Sequence, residues 1–382
     1  MIEAYGASQP RRVPALDPVL LYTVLVLLAF GLTMVYSASA FIAADRGGYW
    51  SYYLLHDFVN IAVSIVALFV VVHIPTTYWR SMSPYLLIAG LVALVMVLIP
   101  DVGVRVNGSA RWLSLGVGNI QPSEFLKLFL VLYLAGYLVR QQDRLSEFTY
   151  GILTVATLLM VTGILLLLEP DMGSEVILWL VAFGMLFMGG VRLSHFLAVV
   201  FAGLGAGAAL IVASHYREER IIGFLHPFAQ AKGNGYQLVQ SLMAFGRGGW
   251  FGRGLGLSLQ KLYYLPAAHT DFLFAIIAEE LGFVGIVAVV ALFTILIVRA
   301  FQIADGARRT GDLYSSFVAQ GIGILIGLEA IINMGVNMGV LPTKGLALPL
   351  LSYGGSSTLM SCVAVALLLR IDQETRAQGA SR

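Results

Sequence analysis

Apolar segments long enough to cross a bilayer recur along this chain, and they restrict the fold more than any other feature. They fall near 18–41, 54–73, 84–100, 122–139, 149–168, 174–190, 194–213, 271–299, 313–338 and 356–371. A hydrocarbon core of about 30 Å is crossed by about 20 apolar residues in a helix, which satisfies its own backbone N–H and C=O groups. Strand signals between the segments are weak. The expected fold is an all-α integral membrane protein with ten transmembrane helices. Composition agrees: 59% of residues are hydrophobic and 12% charged, against roughly a quarter charged in soluble domains. The first apolar run is too long for a signal peptide and reads as a retained span.

Ten spans place both termini on one side, and the distribution of basic residues says which. With the N-terminus inside, the inner set is Arg11, Arg12, Arg80, Arg140, Arg144, Arg192, Arg299, Arg308, Arg309, Arg370, Arg376 and Arg382. The short outer loops hold only Arg46, Arg105, Arg111 and Lys344. Both tails, 1–16 and 372–382, are therefore expected in the cytoplasm. The long polar loop 214–270, between helices seven and eight, is expected outside. No separate soluble domain or repeat is evident, so the whole chain 1–382 reads as one polytopic domain. A net charge of +2 is too small to argue for nucleic acid as a partner. The single cysteine, Cys362, excludes an intrachain disulfide.

Ionisable residues gather toward the expected outer side. Asp271 closes the loop, in Leu265-Pro-Ala-Ala-His-Thr-Asp271. It reads either as a helix N-cap, with Thr270 as the other candidate, or as a carboxylate able to take a proton from a hydroxyl nucleophile. In Gln121-Pro-Ser-Glu-Phe-Leu-Lys127 the i,i+3 spacing puts Glu124 and Lys127 on one helix face. They form either a plain ion pair or part of a polar cavity, since intramembrane charges usually line one. Arg111, beside Trp112, can anchor to lipid phosphate or grip a pyrophosphate through its planar fork. Lys344, in Leu341-Pro-Thr-Lys-Gly345, reads as a snorkelling lysine or a second phosphate contact. Glu169, Asp171 and Glu175 add acids that can balance Arg111 or Lys127, with no metal-ligand spacing. The glycine-rich run Gly246–Gly256 follows no strand, so it does not read as a nucleotide loop.

These runs, with Asn107-Gly-Ser-Ala-Arg-Trp112, Pro170-Asp-Met-Gly173, Tyr236 to Gly246, Ala268-His-Thr-Asp-Phe272, Leu351-Ser-Tyr-Gly-Gly-Ser-Ser357 and Leu369 to Arg376, resemble the SEDS family of bacterial cell-wall glycosyltransferases. The resemblance extends from the first span to the last, and Ser241–Phe245, Pro266–Asp271 and the Arg-Ile-Asp tail favour the cell-division branch over the elongation (RodA-like) branch. It departs at Ala267, where the family often has Glu, and at Glu169, where it usually has Gln. The second departure is expected to change the local charge.

The resemblance implies an enzyme that polymerises lipid II into glycan strands on undecaprenyl pyrophosphate, at the division septum of the cytoplasmic (inner) membrane. It maps the essential loop aspartate onto Asp271 as general base. Arg111, Lys127 and Lys344 become the cations facing pyrophosphate, Glu124 the group orienting Lys127, and Gln121, His269 and Ser356 further substrate contacts. A divalent cation, Mg²⁺ or Mn²⁺, is an implied cofactor. Implied partners are a class B penicillin-binding transpeptidase (FtsI in the division branch) and the FtsQ, FtsL and FtsB complex. Two other readings remain open at this point: a lipid II flippase, disfavoured because charges are few in the first three spans, and a scaffold for partner enzymes.

Overall fold

The computed structural model describes residues 15–45, 52–106, 109–114, 116, 118–212, 222–233, 235–342 and 345–379. Lys344, Arg46, residues 1–14 of the predicted N-terminal tail and residues 214–221 of the predicted loop lie outside the described residues.

Helices α1 (Pro18–Asp45), α2 (Tyr52–Val72), α3 (Thr76–Leu98), α4 (Pro122–Arg140), α5 (Thr154–Leu168), α6 (Met172–Met188) and α7 (Leu193–Val212) fill the first half of the chain. A short helix, α8 (Tyr236–Gly248), precedes α9 (Leu273–Thr310), α10 (Leu313–Asn337) and α11 (Gly355–Gly379). Among the described residues, eight helical segments are long and apolar enough to cross a membrane, and Met172–Met188 is a shorter apolar helix. The molecule is a multi-pass membrane protein. Helices α4, α10 and α11 are mostly buried and central, whereas α2, α3 and α9 turn most of their surface outward. Phe58, Val66, Tyr85 and Ile88 are among the exposed apolar side chains on the outer helices, as a lipid-facing surface requires.

Local chemistry accounts for several boundaries. Pro122 opens α4, where its missing N–H has no helical partner to lose. Asp171 caps α6 by accepting from Ser174 N at 3.4 Å. Asp312 does the same for α10 through Ser315 N at 3.1 Å. Toward the Asp312 end of the bundle, Asp17 pairs with both Arg299 of α9 and Arg376 of α11. That cluster places the starts of α1 and the ends of α11 together.

Three expectations need correction. The fold is not purely helical: β1 (Gly103–Val106), β2 (Ser109–Ser114) and β3 (Asn119–Ile120) form an antiparallel sheet in the order β1-β2-β3, with Val104 opposite Trp112 and Leu113 opposite Ile120. These strands are too short to display an alternating pattern in sequence. The apolar run from 271 is not one continuous helix either. Gly282, at φ 66° and ψ −158°, breaks α9, because only glycine adopts that conformation without strain. The break admits the loop backbone: Phe283 N donates to Gly249 O at 2.9 Å and Gly254 N to Glu280 O at 3.0 Å. A Cβ on Gly252 would overlap the Glu280 carbonyl. Finally, α11 continues to Gly379, so most of the expected C-terminal tail is helical, with Asp372 and Gln373 buried.

Candidate active site

The site is built on one face of α10. Glu329, Asn333 and Asn337 stand one turn apart, so their side chains stack along a single buried stripe. Asn333 Nδ2 donates to the Asp271 carbonyl at 2.9 Å, and Asn337 Nδ2 donates to the same oxygen at 3.0 Å. Asn333 also reaches Leu346 O at 2.5 Å. Asn337 Oδ1 accepts from Ala275 N at 3.1 Å, supplying α9 with a cap from a neighbouring helix.

The N-cap reading of Asp271 and Thr270 therefore fails. Helix α9 starts at Leu273 with Phe272 at the cap position and no side-chain cap bond, and Thr270 Oγ1 donates to Ala267 O at 3.2 Å. The Asp271 backbone is held by two asparagines while its carboxylate is left for other work. Among the described residues, no hydrogen bond reaches the carboxylate oxygens. One of them lies against Gly345, where a Cβ would come within 3.0 Å of Oδ2. Burial pushes the Asp271 carboxyl up to about 6, with Arg111 pulling it down and Asp171 adding to the rise. At pH 7 such a group is about nine-tenths ionised yet holds a proton far better than an ordinary aspartate, which suits a general base.

Arg111, on β2, donates through Nε to Glu169 O at 3.3 Å and through Nη2 to Pro170 O. Its fork is thus fixed by carbonyls rather than by the acids expected to balance it. The Asp171 carboxylate turns instead to Ser174 Oγ at 2.8 Å, Ser123 Oγ at 3.1 Å and Gln121 Nε2 at 3.5 Å. Gln121 N donates to Ser356 Oγ at 3.0 Å. These bonds bring the N-termini of α4, α6 and α11 together, and helix N-termini favour anions. Glu169 is only 1% exposed. Burial, with a smaller contribution from Asp171 and an opposing one from Arg111, pushes its carboxyl up to about 8. A carboxyl raised this far is drawn toward its neutral form near pH 7, which narrows the charge difference from the family's usual glutamine.

Lys127 is buried between Glu124, at 2.8 Å, and Glu329. Two of its three N–H donors are occupied. Glu124 does hold Lys127, as expected, but Glu329 shares the task. His269 sits two residues before Asp271, with its carbonyl accepting from Tyr353 N at 3.1 Å. Its ring lies 5.0 Å from that of Tyr53 and 5.7 Å from that of Tyr353. The structure thus gathers Asp271, Arg111, Gln121 and Ser356 around Asp171, places His269 beside them on the same loop, and joins Glu124 and Lys127 to the α10 stripe. Sequence reasoning weighed Asp171 only as a balancing acid, and missed Glu329, Asn333, Asn337 and Ser123 as site components. For the three α10 residues the signal was polar side chains at i,i+4 spacing inside an apolar span.

Helix α9 carries two adjacent buried acids just before its break. Glu280 accepts from Ser37 Oγ at 2.8 Å and pairs with Lys261 at 2.9 Å. Glu279 accepts from Leu259 N and Gln260 N, each at 3.3 Å, and from Ser258 Oγ. Arg247 lies 3.8 Å from Glu279. Both glutamates are at most 1% exposed; they fasten the loop to the broken helix. Among the described residues, no group of three or more His, Cys, Asp or Glu gathers as a metal cage.

A bundle of membrane-crossing helices that holds one poised carboxylate beside an arginine and three helix N-termini defines a membrane-embedded enzyme-like site. Residues 18–377 match the FtsW/RodA/SpoVE family of cell cycle proteins, and the chain belongs to that family. It is 50% identical over 374 residues to a probable peptidoglycan glycosyltransferase FtsW of Nitrosococcus halophilus, covering 98% of this chain and 95% of that protein. A protein of the same description from Legionella pneumophila is 45% identical over 374 residues, with 98% and 95% coverage. Among solved structures, a chain from a peptidoglycan synthase complex, studied for the coordination of polymerization and crosslinking, superposes with a TM-score of 0.78 at 27% identity, covering 94% of this chain and 98% of that one. The rod shape determining protein RodA of Thermus thermophilus gives a TM-score of 0.68 at 26% identity, with 96% and 99% coverage.

Proposed function

We propose that this chain is a peptidoglycan glycosyltransferase of the division branch, polymerising lipid II into glycan strands. The relatives near half identity over nearly the full length support the reaction class. The observation that carries the site is the Asp271 carboxylate, fixed through its backbone and free of hydrogen bonds among the described residues. The acceptor's sugar hydroxyl attacks the anomeric carbon of the donor chain, its proton passes to Asp271, and the bond from that carbon to pyrophosphate breaks. The displacement inverts the anomeric centre, so base and leaving group occupy opposite faces. Charge developing on undecaprenyl pyrophosphate faces Arg111 and the N-termini of α4, α6 and α11. Lys344 is a further cation for it, and Gln121, Ser356 and His269 are contacts for phosphate or sugar. Lys127, held by two glutamates, acts by keeping α4 and α10 in register. Mg²⁺ or Mn²⁺ would arrive on the pyrophosphate, with most ligands from phosphate and water.

In this reading ten helices cross the membrane, both termini lie in the cytoplasm, and the 214–270 loop faces outward. The Asp17, Arg299 and Arg376 cluster supports a common side for the termini. The structural relative, from a complex that coordinates polymerization and crosslinking, supports a crosslinking partner; the one proposed is a class B penicillin-binding transpeptidase, FtsI in the division branch. FtsQ, FtsL and FtsB and enrichment at the septum follow from the division assignment. The test is glycan-strand formation from labelled lipid II by the purified protein with its transpeptidase, comparing wild type with Asp271→Ala and Asp271→Asn. Active wild type with two silent, folded variants supports the assignment. Wild-type rates from both variants would remove Asp271 as base. An inactive wild type with its partner bound would shift weight to lipid transport or scaffolding.

A further inference from the structure

The segment Trp250–Leu259 carries an apolar surface that the site does not use. Trp250 is 70% exposed, Phe251 84%, Leu255 59% and Leu257 64%. Four large apolar side chains this exposed within ten residues call for a cover other than water. Two observations say what covers it.

The first is continuity. Phe283 N and Val284 N, just past the break in α9, donate to Gly249 O at 2.9 Å and Trp250 O at 3.2 Å. The Trp250 and Phe283 rings meet edge to face at 5.2 Å. Phe283 and Val284 themselves are exposed and begin the lipid-facing side of α9. Trp250 therefore extends that side by one layer.

The second is height. Arg299 pairs with Asp17, so α9 at Arg299 and α1 at its first residue stand at one level. From there the apolar run Pro18–Phe41 of α1 has 24 residues, about 36 Å at 1.5 Å per residue, enough for a core of about 30 Å. The uncharged run Phe283–Val298 of α9 rises only about 24 Å. What is missing on this side of the bundle is one layer of large side chains, and the Trp250–Leu259 segment lies where that layer belongs.

We infer that Trp250–Leu259 is an interfacial wedge whose Trp250, Phe251, Leu255 and Leu257 are buried among the acyl chains of the leaflet on the Asp271 side. The occupant is phospholipid, not protein. The wedge is bonded to the broken helix through Glu279 and Glu280, and that helix begins at Leu273, two residues after Asp271. Its depth in the membrane thereby sets the depth of the Asp271 carboxylate relative to the headgroups. The inference rests on the membrane reading of the helices and not on the reaction.

Nitroxide labels test it. With Cys362, the single native thiol, replaced by Ala, labels are placed singly through Phe251→Cys, Leu257→Cys, Val287→Cys on the lipid face and Lys232→Cys in the polar loop. The chain alone is reconstituted in phosphatidylethanolamine and phosphatidylglycerol vesicles, and collision rates with oxygen and with a water-soluble nickel chelate are read by electron paramagnetic resonance. The expected result is oxygen exceeding nickel at Phe251 and Leu257, as at Val287, with the reverse at Lys232. Nickel collisions at Phe251 equal to those at Lys232 would overturn the wedge. Shielding that appears only after a transpeptidase is added would also overturn it and give the patch to a protein. Asp271→Asn leaves the readout unchanged, so a wrong assignment of the reaction does not disguise itself as a failure of the wedge.

Discussion

Two sets of carboxylates flank one short helical segment, Asp271 two residues before its start and Glu279 with Glu280 near its break, and they are treated in opposite ways. The glutamates are saturated. Hydroxyls of Ser37 and Ser258, backbone N–H groups of the loop and the Lys261 ammonium satisfy them. Asp271 has its backbone gripped by Asn333 and Asn337, but its carboxylate receives no hydrogen bond from the described residues. A saturated buried acid has a geometry that many partners share, and its job is to hold two pieces of chain together. An acid fixed in position but unsatisfied at its oxygens is poised to bind or move a proton. Burial alone does not distinguish them; the partner set does.

The sharpest way to break this contrast is Asp271→Asn, which keeps shape and removes basicity. Polymerisation measured on labelled lipid II is expected to fall by a factor on the order of 10² to 10⁴, the usual worth of a general base, with the melting temperature unchanged. Glu280→Ala should do the reverse in kind. It strands the Lys261 ammonium in the interior, and breaking a buried pair costs about 3–5 kcal/mol; thermal unfolding in detergent should show a large drop. The double variant Lys261→Met with Glu280→Leu should recover much of that stability, because removing both charges removes the stranded one. A double variant as unstable as the single would mean that the serines, not the ion pair, hold the loop.

Asn337→Ala lies between the two sets. It removes one donor from the Asp271 carbonyl and leaves Ala275 N without its acceptor, a cost of about 1–3 kcal/mol. The expected outcome is a rate loss of roughly tenfold or more with KM little changed, since about 1.4 kcal/mol is a factor of ten. A wild-type rate would show that the carboxylate is positioned by something else.

The pH profile sharpens the comparison further. The Asp271 carboxyl is raised to about 6, so the base form is lost as pH falls, and the rate should decline through about pH 6 on the acid side. Glu169, raised from 4.5 to about 8, is neutral below that pH and ionises above it, beside Asp171. The folded state holds this proton more tightly than the unfolded chain does. Its ionisation therefore costs stability progressively as pH rises from 4.5 through about 8. The smallest predicted effect is Glu169→Gln: activity at pH 7 unchanged, with the alkaline loss of stability and rate reduced. A marked loss at pH 7 would mean that the proton on Glu169 is used.

Much of this was legible in the chain. Long apolar runs predicted the helices because a membrane leaves few alternatives, and Asp271 and Arg111 stood out as charged residues bordering such runs, while Gln121 and Ser356 came only from the family resemblance. The partners of those residues were not legible. Asn333 and Asn337 are separated from Asp271 by most of two helices, and a polar residue inside an apolar span does not name what it bonds. The sheet carrying Arg111 was hidden because strands of two to six residues are too short for periodicity to register. The burial of Glu169 was not legible either, because charge counted along a sequence assumes water around every carboxyl.

The sequence by itself determined that this chain lives in a membrane, roughly where its apolar spans fall, and which ionisable groups crowd toward one side, because hydrophobic transfer and backbone satisfaction are local properties of each segment. Only the tertiary structure decided which carboxylate is saturated and which is free. Hydrogen-bond partners and burial are set by residues far apart in the chain, and a glycine break at Gly282 lets the loop backbone enter the helix and fix them.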